Sequence, residues 1–260
     1  MKIKEITNYL EKIAPLSFQE NYDNCGLIVG DSNTSVNAAL ITLDCTESII
    51  EEAIERECDL IIAHHPIIFS GIKKLNGSNY IERIVIKAIK NNIAIYAIHT
   101  NLDNVHNGVS AKIADRLDLK TCKILAPKEN FPNIGAGIIG ELSEAIESKL
   151  FLKMLKDIME TDCIRHTSIV SSKIKKVAVC GGSGSFLLDR AKDLDADIYI
   201  SADFKYHEFF NADNKLIIAD IGHYESEHFT KDLIYDFLTK KFTSFAVRLS
   251  KVNTNPINYL

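Results

Sequence analysis

The stretch Leu60-Ile61-Ile62-Ala63-His64-His65-Pro66 constrains this chain more than any other. Strand-like apolar residues need no histidine at their end, yet this run stops on two adjacent imidazoles and a proline, which puts two good metal ligands in one place. Similar runs recur along the chain. Short β-rich apolar segments at 27–30, 38–44, 93–98, 176–180, 197–201 and 215–220 alternate with helical spacing at 3–14, 48–57, 80–91, 107–117 and 148–159. That alternation predicts an α/β fold with mixed, largely parallel sheets flanked by helices.

Length and composition bound the rest. At 260 residues with 46% hydrophobic content, the chain can build one large or two modest domains with a sizeable core. The stretch 128–140, rich in glycine and close to two prolines, marks the expected boundary. The reading is an N-terminal α/β domain, 1–127, carrying His64, His65 and Asp103, and a C-terminal α/β domain, 128–260, carrying His223 and Glu227. The last helix is free to pack back on the N-terminal domain. Thirty basic against thirty-five acidic residues, a net charge of -5, offer nucleic acid no broad electrostatic footprint. Cys25, Cys45, Cys58, Cys122, Cys163 and Cys180 form no C-x-x-C pair, and the N-terminal segment lacks a signal-peptide apolar core, which together predict a reduced, cytoplasmic protein. Apolar runs stop far short of the roughly 20 residues of a membrane-spanning helix, so no membrane anchor is expected. The sequons at Asn33 and Asn76 read as ordinary turn residues.

In open α/β sheets, ligands bind outside the carboxyl ends of the strands, where side chains distant in sequence can meet. Three predicted strand ends carry histidine: His64-His65, His99 with Asp103 four residues on, and His223 with Glu227 four residues on. His223 and Glu227 share a face if a helix starts there. Successive strand residues point to opposite faces, which counts against a shared ligand role for His64 and His65, but Pro66 ends the strand. We therefore assign the two histidines to different ions, with Glu227, in preference to Asp103, as a bridging carboxylate. The metal site is expected between the two domains. A lone histidine is more often a hydrogen-bonded structural residue than a ligand, and His106, His166 and His228 are read as solvated or as lying behind the ligands. The turn Gly181-Gly182-Ser183-Gly184-Ser185 lacks both the Walker ending and the dinucleotide fingerprint, so it reads as a tight strand-to-helix turn ahead of a phosphate cradle.

The segments YDNCGLIVG, LDCTESIIEEAIERECDLIIAHHPIIF, IYAIHTNLDNVHNGV, VAVCGGSGSF and IADIGHYESE resemble, in order and spacing, the signature blocks of the Nif-three-like family, whose bacterial members are often labelled GTP cyclohydrolase 1 type 2 homologues. The match looks like the short form of the family, without its inserted domain. The resemblance implies a dinuclear metal centre at positions matching His64, His65, Asp103, His223 and Glu227, and a ring-shaped homohexamer, a trimer of dimers, with metal sites facing an interior cavity. This chain has Tyr22 where tryptophan is usual and Ala202 where glycine is usual; neither is a proposed ligand.

Two divalent ions, Zn, Mn, Fe, Co or Ni, suit imidazole and carboxylate ligands. The expected function is that of a metal-dependent hydrolase whose metal-activated water acts on a nucleotide-type or cyclic-amide substrate, with His99 orienting a ligand or shuttling a proton and Asp203, Lys205 and His207 as pocket residues. The alternative is a non-enzymatic metal-carrying or regulatory ring assembly, and a blander one is a single structural zinc.

Overall fold

The computed structural model describes residues 1–260, which divide into two compact units: residues 1–102 with 230–256, and 103–229 with 257–260. No helix is long and apolar enough to cross a membrane.

The first unit opens with α1 (Ile3–Ile13), whose buried Ile3, Ile6 and Leu10 follow the helical period. Then come β1 (Gly26–Val29), β2 (Ala38–Thr42), α2 (Glu47–Glu55), β3 (Leu60–Ala63), α3 (Tyr80–Lys90), β4 (Ala94–Ala97) and a single helical turn, α4 (Thr100–Asp103). Local chemistry sets the helix starts. Thr46 and Asn79 cap α2 and α3 by accepting from the backbone N–H groups of Ile49 and Glu82. Strands β2, β3 and β4 are parallel and level at their carboxyl ends, with Thr42 opposite Ala63 and Ala63 opposite Ala97. The residues that follow, Asp44, His64, His65 and His99, therefore leave one edge of one sheet.

The second unit contains α5 (Val109–Arg116), β5 (Lys120–Lys128), β6 (Phe131–Glu147), α6 (Ser148–Ile158), β7 (Arg165–His166), β8 (Lys173–Ser183), α7 (Leu188–Asp193), β9 (Ile198–Ala202), β10 (Ile217–Asp220) and the short α8 (His223–Glu227). Its six-stranded sheet runs β5-β6-β8-β9-β10-β7. Val177 and Val179 of β8 enter one core cluster while Ala178 and Cys180 enter another, so alternate residues bury opposite faces of the sheet. Parallel pairing of β8, β9 and β10 brings Gly182, Asp203 and His223 out at the same edge.

The chain then returns to the first unit as α9 (Thr230–Lys241) and β11 (Ala246–Leu249), which pairs in parallel with β2 and completes the order β1-β4-β3-β2-β11. The last helix thus packs on the N-terminal sheet.

Two features differ from the sequence reading. The boundary expected at 127/128 falls inside the antiparallel β5–β6 hairpin, and the chain passes between the units at Leu102/Asp103. The glycines of 128–140 serve close strand pairing: Gly135 lies opposite Pro127, where a Cβ would come within 2.1 Å of the Ala126 carbonyl oxygen. Asp103 consequently belongs to the second unit, with His223 and Glu227. The second sheet also joins β5-β6, β6-β8 and β10-β7 antiparallel, so parallel pairing dominates only the first.

Candidate metal centre

In the first unit, one donor atom from each of His64, His65 and His99 lies within 4.8 Å of the others. The pleat no longer constrains residues beyond Ala63, and the rings of His64 and His65 sit side by side with centroids 4.9 Å apart. Each imidazole is held at Nδ1. His64, fully buried, meets the Ile98 carbonyl oxygen at 2.8 Å. A carbonyl only accepts, so His64 Nδ1 carries the hydrogen and a neutral ring keeps its lone pair on Nε2. His65 Nδ1 lies 2.7 Å from Asp44 Oδ1, and His99 Nδ1 lies 2.9 Å from Asp23 Oδ1, which imposes the same tautomer on both. This is the orientation that metal-binding histidines receive from carboxylate and carbonyl partners.

Asp23 is fixed in turn. Its carboxylate accepts from the Thr100 backbone N–H at 3.0 Å and from the Thr100 hydroxyl. Burial works to raise its pKa, but the His99 and Thr100 hydrogen bonds outweigh it and hold the carboxyl far below the usual range. Phe69, half exposed, sets its ring edge-on to His99 at 5.7 Å.

In the second unit, His223 opens α8 between two carboxylates, with Nδ1 2.7 Å from Asp203 Oδ2 and Nε2 3.0 Å from Glu227 Oε2. The Glu227 side chain is buried, and a carboxylate oxygen of Asp103 lies within 4.8 Å of its donor atom. Burial alone would lower His223, but the Glu227 and Asp203 carboxylates outweigh it and push the imidazole up to about 11. Two carboxylates thus flank one imidazole, with Asp103 near Glu227, an environment that favours a cation. Gly182 makes room for it: its φ is +61°, and a Cβ there would fall 2.3 Å from Glu227 Oε1. The glycines expected to form a turn thus begin inside β8, whose last residues accommodate the Glu227 carboxylate, and the chain continues into a short 3-10 turn at Ser185–Leu187.

The thiols stay out of this chemistry. Burial pushes Cys180 up to about 12, with Asp103 and Glu227 adding to the effect, and desolvation pushes the half-buried Cys25, beside Asp23, up to about 12 as well. The donors on offer are imidazole and carboxylate, and His and Glu groupings of this kind can hold a metal ion.

Of the expected pocket residues, Asp203 holds His223. Lys205 and His207 are exposed; the Lys205 backbone starts a 3-10 turn by donating to Glu208, and the His207 ring packs on Tyr206 and Phe210. A groove of about 560 Å³ in this unit is lined by Arg165, Tyr206, Phe209, Phe210 and Leu216, and neither of these two residues nor any of the donors lines it. Sequence reasoning missed Asp23, Asp44 and the Ile98 carbonyl. Asp44 carried a usable signal, since it closes a predicted strand as the histidines do.

The family profile of Duf34/NIF3 (NGG1p interacting factor 3) matches residues 1–256. The chain belongs to the Duf34/NIF3 family. It is 35% identical over 230 residues to a GTP cyclohydrolase 1 type 2 homolog of Clostridium acetobutylicum, covering 87% of this chain and 85% of that one. Over the full length of both chains it is 33% identical to a Campylobacter jejuni protein of the same name. The crystal structure of a Bacillus cereus protein related to NIF3 superposes with a TM-score of 0.91 at 24% identity, covering 100% of this chain and 99% of that one, so the two-sheet Duf34/NIF3 fold is shared.

Proposed function

We propose that His64, His65, Asp103, His223 and Glu227 hold two divalent metal ions and that the protein is a metal-dependent hydrolase acting on a nucleotide-type or cyclic-amide substrate. The observation that carries the reading is the Nδ1 anchoring of His64, His65 and His223, which fixes each ring before any ion arrives. His64 and His65 belong to different ions. Glu227 is the bridging carboxylate of choice, because in its own unit it neighbours both Asp103 and His223. A metal ion held at His223 would compete with the proton that its carboxylates favour, so its uptake would release protons.

When bound, such ions act as Lewis acids that lower the pKa of water to about 7. The remaining work falls to the chain. His99, held by Asp23 at Nδ1, presents Nε2 as the atom that takes or returns a proton, and it remains partly accessible. Phe69 offers an apolar edge beside it. The label on the Clostridium and Campylobacter relatives supports trying nucleotides first. Part of the same proposal is a homohexamer, a trimer of dimers; light scattering that returns the mass of one chain removes it.

The test is turnover. Protein loaded with Zn, Mn, Fe, Co or Ni is assayed against nucleoside triphosphates, phosphodiesters and cyclic amides, beside chelator-stripped protein and His99→Ala. Metal-dependent hydrolysis lost in His99→Ala supports the reading. Stoichiometric metal without turnover replaces it with a metal-carrying role.

A further inference from the structure

The chain beyond β11 is built into the first unit. The buried Glu52 carboxylate accepts from the Ser250 hydroxyl at 2.5 Å and from the Lys251 backbone N–H at 2.9 Å, and Arg56 ties Glu52 to the Leu249 carbonyl. Val252 packs against the core cluster of that unit. Two residues later the Thr254 hydroxyl donates to Asp44 Oδ2 at 2.6 Å. The other oxygen of the same carboxylate holds His65 Nδ1.

From this chain of contacts we infer that Thr254 is a positioning residue for His65, acting through Asp44. Asp44 is one-third exposed, so water competes for the carboxylate oxygen that holds His65. Thr254 secures the second oxygen, and Glu52 secures the segment that carries Thr254. The inference rests on the reading of His65 as a metal ligand. Its physical content, the fixing of one imidazole, holds in the metal-free protein too.

The experiment uses the full-length protein and two variants, Thr254→Val, which keeps the shape and removes the hydroxyl, and Thr254→Ser, which restores it. Zinc affinity is measured by competition with a chromogenic chelator, and the His65 ring is followed by nitrogen-correlated NMR in the metal-free state. Thr254→Val is expected to weaken one of the two ions by about 10–100-fold, the usual cost of losing an outer partner of a ligand, and to broaden or shift the His65 Nδ1–H signal. Thr254→Ser is expected to recover both. Since Thr254 is only partly buried, thermal melting should place both variants close to wild type. If Thr254→Val matches wild type in the His65 signal, the inference is overturned, whatever the metal result. If wild-type protein binds no zinc while the His65 signal still responds to Thr254→Val, the proposed metal function fails and the positioning role stands.

Discussion

The two units present opposite kinds of donor. The first offers three imidazoles from the level carboxyl edge of a largely parallel sheet, their anchors supplied by Ile98, Asp44 and Asp23. The second offers carboxylates, with Asp203 and Glu227 on the single His223 and Asp103 near Glu227, on a sheet where antiparallel pairs outnumber parallel ones. The first set is preset in direction; the second brings negative charge and one ring. The contrast teaches that orientation and charge, the two requirements of a cation site, are met by different parts of this chain.

Removing the carboxylate at the centre of the second set should have the largest effect. Glu227→Ala is expected to reduce metal content from two ions per chain to one or none by elemental analysis, and unchanged content would break the contrast. Next come the anchors, one in each unit. Asp44→Ala and Asp203→Ala should each weaken metal binding by about 10–100-fold in chelator competition, and a difference confined to one unit would show that only that unit needs its ring held.

Stability separates the units further. His64→Ala leaves the Ile98 carbonyl without its donor in a fully buried place and should cost about 1–3 kcal/mol in urea unfolding of metal-free protein. His223→Ala, at a more exposed ring, should cost less. The smallest effect concerns the strap of the first unit. Burial opposes the ionised form of Glu52, but the hydrogen bonds from Ser250, Lys251 and Arg56 outweigh it and set its pKa below the ordinary carboxylate value. A depressed carboxylate stabilises above its unfolded pKa and loses that contribution as pH falls through the folded value. Glu52→Gln should therefore cost about 1 kcal/mol at neutral pH, and the gap to wild type should close as the pH drops below the ordinary carboxylate range.

Much of this was legible in the sequence. Strand-end histidines marked both donor sets, because a sheet edge is where α/β proteins gather distant residues, and the Nif-three-like blocks pointed to the family the chain belongs to. The anchors were not. Asp23 meets His99 across 76 positions and Asp44 meets His65 across 21, pairings that arise only when loops from separate strands fold over the edge. The unit boundary was hidden for a different reason. Glycine at 135 suggested a loose linker, but it is required by a close hairpin, and composition alone does not separate the two uses.

Anomalous diffraction from crystals of protein purified without chelator tests the central claim most directly. Two peaks per chain are predicted, one about 2.0–2.1 Å from Nε2 of His64 and the other at the same distance from Nε2 of His65. No peak, or a single peak touching neither histidine, would contradict it.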